Sequence, residues 1–93
     1  MFKIVKKHRL NHESVEMDIE APFIANKAKP GQFIIFRVDD EGERVPLTVA
    51  GTDPEKGTVK IIFQQVGAST LALGDKDEGD FIQDFVGPLG QPS

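Results

Sequence analysis

Apolar and polar residues alternate with a period of two over most of this chain, the spacing of strands rather than helices. Val15, Met17 and Ile19 alternate with Ser14, Glu16, Asp18 and Glu20, which predicts a strand with one buried and one wet face. Before it, Phe2 and Ile4, with Lys6 continuing the series, mark the inward positions of a first strand over residues 2–10. Asn11-His12-Glu13 is the polar turn between the two. A third strand covers residues 32–38, a fourth 44–50, a fifth 58–66 and a sixth 81–86, each rich in residues that suit a pleated, packed surface.

The punctuation between these runs is equally regular. Ala21-Pro22 breaks the second strand, and Pro30-Gly31 closes the connection over residues 21–31. The acidic stretch Asp39-Asp40-Glu41-Gly42-Glu43 turns the chain, as does Asp53-Pro54-Glu55-Lys56-Gly57, where Pro54 and Gly57 occupy turn positions. Pro46 lies inside the fourth strand. Lacking an N–H, it either puts that strand at a sheet edge or turns the missing donor toward a ligand. The stretch from Gly67 to Leu73 departs from period two and predicts one short helix, ended by Gly74. Six short strands and one helix between the fifth and sixth indicate an all-β barrel or sandwich.

Length and composition narrow the classes of function. Ninety-three residues, 39% apolar and 28% charged, make one compact globular domain with a modest core. The chain has no cysteine, which excludes disulfides, thiolate metal sites and iron–sulfur ligation within it. The charged N-terminus, with Lys3, Lys6 and Lys7, does not have the apolar stretch of a signal peptide, and no apolar run approaches the ~20 residues of a membrane span. A cytoplasmic protein without a membrane association is expected. A net charge of −4 and the absence of Tyr and Trp argue against nucleic acid as a partner. All seven aromatics are Phe, most of them at inward-looking strand positions.

Side-chain catalysis finds little support. His8 and His12 lie near the N-terminus with no acid or nucleophile that the spacing places beside them. Two segments carry more. Thr48 with Arg44 four residues earlier offers a hydroxyl for a polar ring edge and a guanidinium for a phosphate. The alternative is a strand threonine and a surface arginine. Gly67-Ala68-Ser69-Thr70 opens the helix, where unpaired N–H groups and two hydroxyls can meet an anion and glycine allows close approach. The alternative is ordinary N-capping. Taken together, the two segments favour a pyrophosphate bound across a barrel that has no GxGxxG loop.

Four stretches carry a wider resemblance: Pro30-Gly31-Gln32-Phe33, Arg44-Val45-Pro46-Leu47-Thr48, residues 62–70 and Asp84-Phe85-Val86-Gly87-Pro88-Leu89-Gly90. In this order and spacing the chain resembles the ferredoxin–NADP reductase-like flavoproteins. It is most similar there to the electron-transfer subunit of dihydroorotate dehydrogenase and to the alpha (small) subunit of NADH-dependent ferredoxin–NADP reductase, also called the sulfide dehydrogenase beta subunit. The resemblance implies a six-stranded antiparallel Greek-key barrel that binds FAD. It places Pro46, Leu47 and Thr48 along the isoalloxazine, with Thr48 near N5. Phe63, Gln64 and Gln65 would line the ribityl and adenosine side through their backbone, and Gly67, Ser69 and Thr70 would receive the pyrophosphate. Arg44 departs from the pattern, in which the arginine stands three residues before the hydroxyl residue, at the position of Val45. In a regular strand Arg44 points to the face opposite Val45 unless a bulge near Pro46 redirects it.

The same resemblance implies that residues 1–93 are an FAD-binding domain whose nicotinamide-binding domain follows elsewhere, reached through Gly87-Pro88-Leu89-Gly90 and the linker-like Gly90-Gln91-Pro92-Ser93. NAD(P)H and a [2Fe–2S] centre would belong to that missing part. The partner would be a larger catalytic subunit, glutamate synthase-like or a dihydroorotate dehydrogenase. The expected function is an oxidoreductase electron-transfer subunit, inactive as this fragment alone. The competing expectation is a cofactor-free barrel that binds a protein.

Overall fold

The computed structural model describes residues 1–91, so the linker reading of Pro92 and Ser93 lies outside the described residues. Seven strands and two short helices follow one another: β1 (Phe2–Arg9), β2 (Ser14–Glu20), α1 (Pro22–Lys27), β3 (Phe33–Arg37), β4 (Val45–Asp53), β5 (Thr58–Gln64), α2 (Ala68–Gly74), β6 (Phe81–Ile82) and β7 (Asp84–Leu89). All pairings are antiparallel, in the order β6-β1-β2-β5-β4-β3-β7. Placing β5 between β2 and β4 is the Greek-key step, because the chain between β2 and β5 must pass over the barrel.

The expected sixth strand is one run in two pieces. β6 pairs with β1 at Phe2↔Ile82, and β7 pairs with β3 at Arg37↔Asp84. Gln83 stands between them and donates its backbone N–H to Val38 O at 3.2 Å. This bent run therefore joins both edges of the sheet and closes the barrel, leaving no long open edge.

The core follows the period-two pattern. Val15, Met17 and Ile19 of β2, Ile34 and Phe36 of β3, Val59, Ile61 and Phe63 of β5, and Phe85 of β7 point inward and are buried. Of the other phenylalanines, Phe2 and Phe33 are half-buried, and Phe23 and Phe81 are exposed.

β1 departs from the expected phase. A bulge between Ile4 and Lys6 inserts one residue, so Lys6 faces Asp18 outside while Lys7 and Arg9 stand opposite Met17 and Val15. One extra residue reverses which positions look inward. Lys7 is therefore directed over the barrel mouth, where its Nζ donates to Gly74 O at 2.7 Å.

The connection 21–31 additionally holds α1, with Pro22 in its first turn and Ile24 and Ala25 buried. Proline suits that position because its missing N–H has no helical partner anyway. Ala21 N–H donates to Gly57 O at 2.9 Å, which fixes the helix against the β4–β5 turn. α1 and α2 thus sit at opposite ends of β5.

Gly57 is held at φ +70, and a Cβ there would stand 3.0 Å from Pro22 Cβ and 3.3 Å from Pro22 Cα. Gly57→Ala should lower stability by about 1–3 kcal/mol, since left-handed strain adds to a backbone collision. Gly79 is the matched control, with φ +93 but nothing within 4 Å of its Cβ position. Urea midpoints at constant m-value check this: equal shifts for Gly57→Ala and Gly79→Ala would remove the contact with Pro22 as a cause.

Among the described residues no helix is long and apolar enough to cross a membrane.

Candidate functional site

The site begins where β4 leaves β5. Their ladder runs from Asp53↔Thr58 to Val49↔Ile61 and goes no further. Val49 donates its N–H toward β3, to Gln32 O at 2.8 Å, and successive residues of a strand point their N–H groups to alternate sides. Pro46, three residues earlier, therefore turns its nitrogen toward β5, where it has no hydrogen to give. The ladder has already ended at Val49, so Pro46 forfeits no bond to β5, and the pairing with β3 continues through Pro46↔Ile35 to Phe36↔Val45. Pro46 lies in an interior strand, at the one end where its missing donor costs nothing.

Beyond this split lies a cavity of about 460 Å³. One wall is the turn into α2 and its first residues, Gly67, Ala68, Ser69 and Thr70; Val38 and Val45 supply apolar surface; the β3–β4 loop closes the far side with Asp39, Glu41 and Glu43. The acidic loop repels an anion, so of the two walls only that of α2 suits one.

Three contacts hold that wall in position. The Thr70 hydroxyl accepts the N–H groups of Val66 and Gly67, each at 3.0 Å, and donates to Gly67 O at 3.1 Å. Gln65 Oε1 accepts from an Arg9 guanidinium nitrogen at 2.8 Å, and its amide lies against Gly74. Lys7 Nζ binds the carbonyl of Gly74 at the other end of the helix, with Asp77 at 3.5 Å. A cation at helical C-terminal carbonyls is favourable.

The structure divides the residues singled out from sequence into groups. Gly67, Ser69 and Thr70 line the cavity together. Thr70 is spent on internal capping, whereas Ser69 makes no side-chain hydrogen bond among the described residues and is half-buried. The N–H groups of Ala68 and Ser69 have no carbonyl one turn earlier to bond. A Cβ on Gly67 would meet nothing within 4 Å, so the backbone there is open to a close-lying ligand.

Pro46 and Thr48 share the outward face of β4 and are exposed, as is Arg44 just before the strand, while Val45 and Leu47 turn inward and are half-buried. The register across Pro46 is regular, and the only bulge of β4 lies between Val49 and Gly51. Arg44 therefore stays on the face opposite Val45. Its guanidinium reaches Asp84 Oδ2 at 3.4 Å, outside the cavity.

Phe63 is a core side chain, so only its backbone is available to a ligand. Gln64 is exposed at the end of β5. Sequence reasoning did not single out the apolar Val38, Val45 and Val66 or the three carboxylates of the loop as cavity residues. They come from segments far apart in the chain, and no local pattern links them.

As a test of fit, the donor set suits a flavin dinucleotide. Backbone N–H groups and one free hydroxyl stand at the α2 wall, an uncrowded glycine adjoins them, and Arg44, Pro46 and Thr48 form a row about 13 Å long by strand rise.

No family model matches the chain. Similar proteins do. A protein of Clostridium beijerinckii named as an uncharacterized protein in the adh 3' region is 58% identical over 93 residues, which is 100% of this chain and 31% of that one. The dihydroorotate dehydrogenase B (NAD(+)) electron transfer subunit homolog of Thermotoga maritima is 45% identical over 91 residues, 98% of this chain and 32% of that one. The chain thus spans about a third of the length of the curated relatives it matches. Among solved structures, a chain of NADH-dependent reduced ferredoxin-NADP oxidoreductase, described for flavin-based electron bifurcation, superposes with a TM-score of 0.97 at 44% identity, covering 100% of this chain and 34% of that one. The siderophore interacting protein of Acinetobacter baumannii shares the fold, with a TM-score of 0.75 at 19% identity over 96% of this chain and 39% of that one.

Proposed function

The chain is a ferredoxin–NADP reductase-like barrel homologous to dihydroorotate dehydrogenase B electron transfer subunits, and we propose on that footing that it is the FAD-binding unit of a flavin-dependent oxidoreductase subunit. The observation that carries this reading is the split of β4 from β5 beyond Val49, beside the open α2 wall. It leaves strand edges, N–H donors and an uncrowded glycine at one end of a closed barrel, where a dinucleotide can lie without displacing core residues.

FAD, when bound, supplies the two-electron to one-electron conversion between a nicotinamide and an iron–sulfur centre. The chain's own residues bind and orient. The outward hydroxyl of Thr48 is the hydrogen-bond partner for the N5 edge of the ring, and Pro46 lines the ring's length, with Leu47 contributing only its backbone because its side chain turns inward. Ser69 and the N–H groups beside it receive the diphosphate, with Gly67 making room. Thr70 acts one step back, by fixing the turn that presents them. Arg44 adds a positive charge at the end of the row. Gln65 braces α2 through its side chain.

The remaining parts of the reading rest on the resemblance drawn from the sequence. The relatives are about three times as long as this chain, so NAD(P)H binding and a [2Fe–2S] centre belong to segments outside it. A larger catalytic subunit, a dihydroorotate dehydrogenase or a glutamate synthase-like protein, is the electron partner, and the cytoplasm is the compartment.

An FAD titration tests the reading, followed by flavin fluorescence and by amide shifts. Saturable binding with shifts confined to residues 44–48 and 63–70 is expected. If neither this chain nor a full-length subunit binds FAD, the flavin reading falls and a cofactor-free protein-binding barrel replaces it.

A further inference from the structure

Two guanidinium groups converge on one carboxylate oxygen beside the outward row of β4. Asp84 Oδ2 accepts from Arg37 Nε at 2.7 Å and stands 3.4 Å from an Arg44 terminal nitrogen. One carboxylate neutralises one guanidinium, so the cluster of Arg37, Arg44 and Asp84 retains one positive charge.

Geometry decides which arginine is the surplus one. Arg37 and Asp84 are directly opposed in the β3–β7 ladder, and Arg37 also donates to Asp40 O at 3.4 Å. Its side chain is 21% exposed. Arg44 is 63% exposed, makes only the longer contact among the described residues and precedes β4 by one residue. A solvent-screened pair of that kind is weak. Arg37 is the standing partner of Asp84, and Arg44 is held only loosely.

Resting on the flavin reading above, we propose that Asp84 is a positioning residue that parks Arg44 in line with Pro46 and Thr48 and gives it up to a diphosphate. A phosphate oxygen then replaces Oδ2 as the acceptor for Arg44. The diphosphate wins because it offers more charge and more acceptor oxygens in a geometry that matches the guanidinium fork. Asp84 is not left unpaired by the exchange, since the shorter bond from Arg37 remains. Arg37 therefore makes the exchange possible without touching the ligand.

The test is a double-mutant cycle on the 93-residue chain, with FAD, ADP and riboflavin as probes. Asp84→Asn removes the competing charge and keeps an acceptor for Arg37. It should tighten FAD and ADP by about two- to fivefold, the range of an exposed ion pair, and leave riboflavin unchanged. In an Arg44→Met background the same substitution should have no effect on FAD. A gain that persists without Arg44 is a field effect and overturns the proposal, as does unchanged or weakened FAD binding by Asp84→Asn. Should asparagine unsettle β7 by thermal melt, Asp84→Ser takes its place in the cycle. Binding of FAD and riboflavin without Asp84–Arg44 coupling sinks this proposal alone, whereas no saturable binding by any form, full-length subunit included, sinks the flavin reading with it.

Discussion

Phe36→Ala is expected to destabilise this barrel by about 3–5 kcal/mol, the largest effect of any single truncation considered. Phe36 lies in β3 between Val45 of β4 and Phe85 of β7, and none of its surface is exposed. Removing the ring deletes its transfer energy and leaves a cavity where strands on both sides are fixed by ladders, so the walls cannot collapse inward. A domain of this size has only about 5–15 kcal/mol in total. At about 4–8 °C per kcal/mol, the melting temperature should fall by roughly 12–40 °C. Phe23 is the control: it is 69% exposed on α1, with Lys27 Nζ 4.2 Å from its ring centroid, and its truncation should cost about 1 kcal/mol or less. Comparable losses for the two variants, measured by thermal melt and urea midpoint, would contradict the placement of Phe36 at the centre of the core.

Gly67→Val is expected to weaken FAD binding at least about tenfold, or 1.4 kcal/mol, while the fold survives. The residue has φ −144 and ψ 173, extended geometry that a β-branched side chain adopts readily. A Cβ there meets no protein atom within 4 Å, so the side chain leaves the backbone into open space on the ligand's side. Its methyl groups would occupy space in front of the N–H groups of Ala68 and Ser69. The cost to folding is that of a poorer N-cap, about 1 kcal/mol or less. Flavin fluorescence and a melt on the same samples separate the two effects. An unchanged FAD affinity in a folded Gly67→Val protein would move the diphosphate away from α2 and leave the β4 row as the binding surface.

Much of the fold was legible in the chain. Alternation at residues 14–20 placed Val15, Met17 and Ile19 correctly in the core, because in a half-buried strand side-chain direction depends only on parity, whereas the continuous apolar run at 33–36 announced a strand without saying that Ile34 and Phe36 face inward. The turns at Pro30-Gly31 and Asp53–Gly57 were also readable, since proline and glycine act through their own backbone angles. Parity failed in β1, where the bulge between Ile4 and Lys6 reversed the inward positions and sent Lys7 to the C-terminal end of α2. The motive for that bulge lies in α2, some seventy residues away, so no local pattern announced it. The division of residues 81–89 into β6 and β7 was hidden for the same reason. The break at Gln83 serves two different neighbours, β1 and β3.

The candidate site divides along the same line. By itself the sequence determined which residues have ligand chemistry: an arginine, a proline and a hydroxyl at positions 44, 46 and 48, and a glycine–hydroxyl turn opening a helix at 67–70. Those are properties of residue type and short spacing, and they survive in any fold that keeps the local backbone. Tertiary structure alone decided what each can reach. It showed that Pro46 lies beyond the end of the β4–β5 ladder, that Thr70 is committed to capping and Ser69 is not, and that Arg44 and Arg37 meet at Asp84. It also set the carboxylates of Asp39, Glu41 and Glu43 across the cavity from α2. These outcomes depend on which strand lies beside which, and that choice is made by burial of the whole core rather than by any one segment.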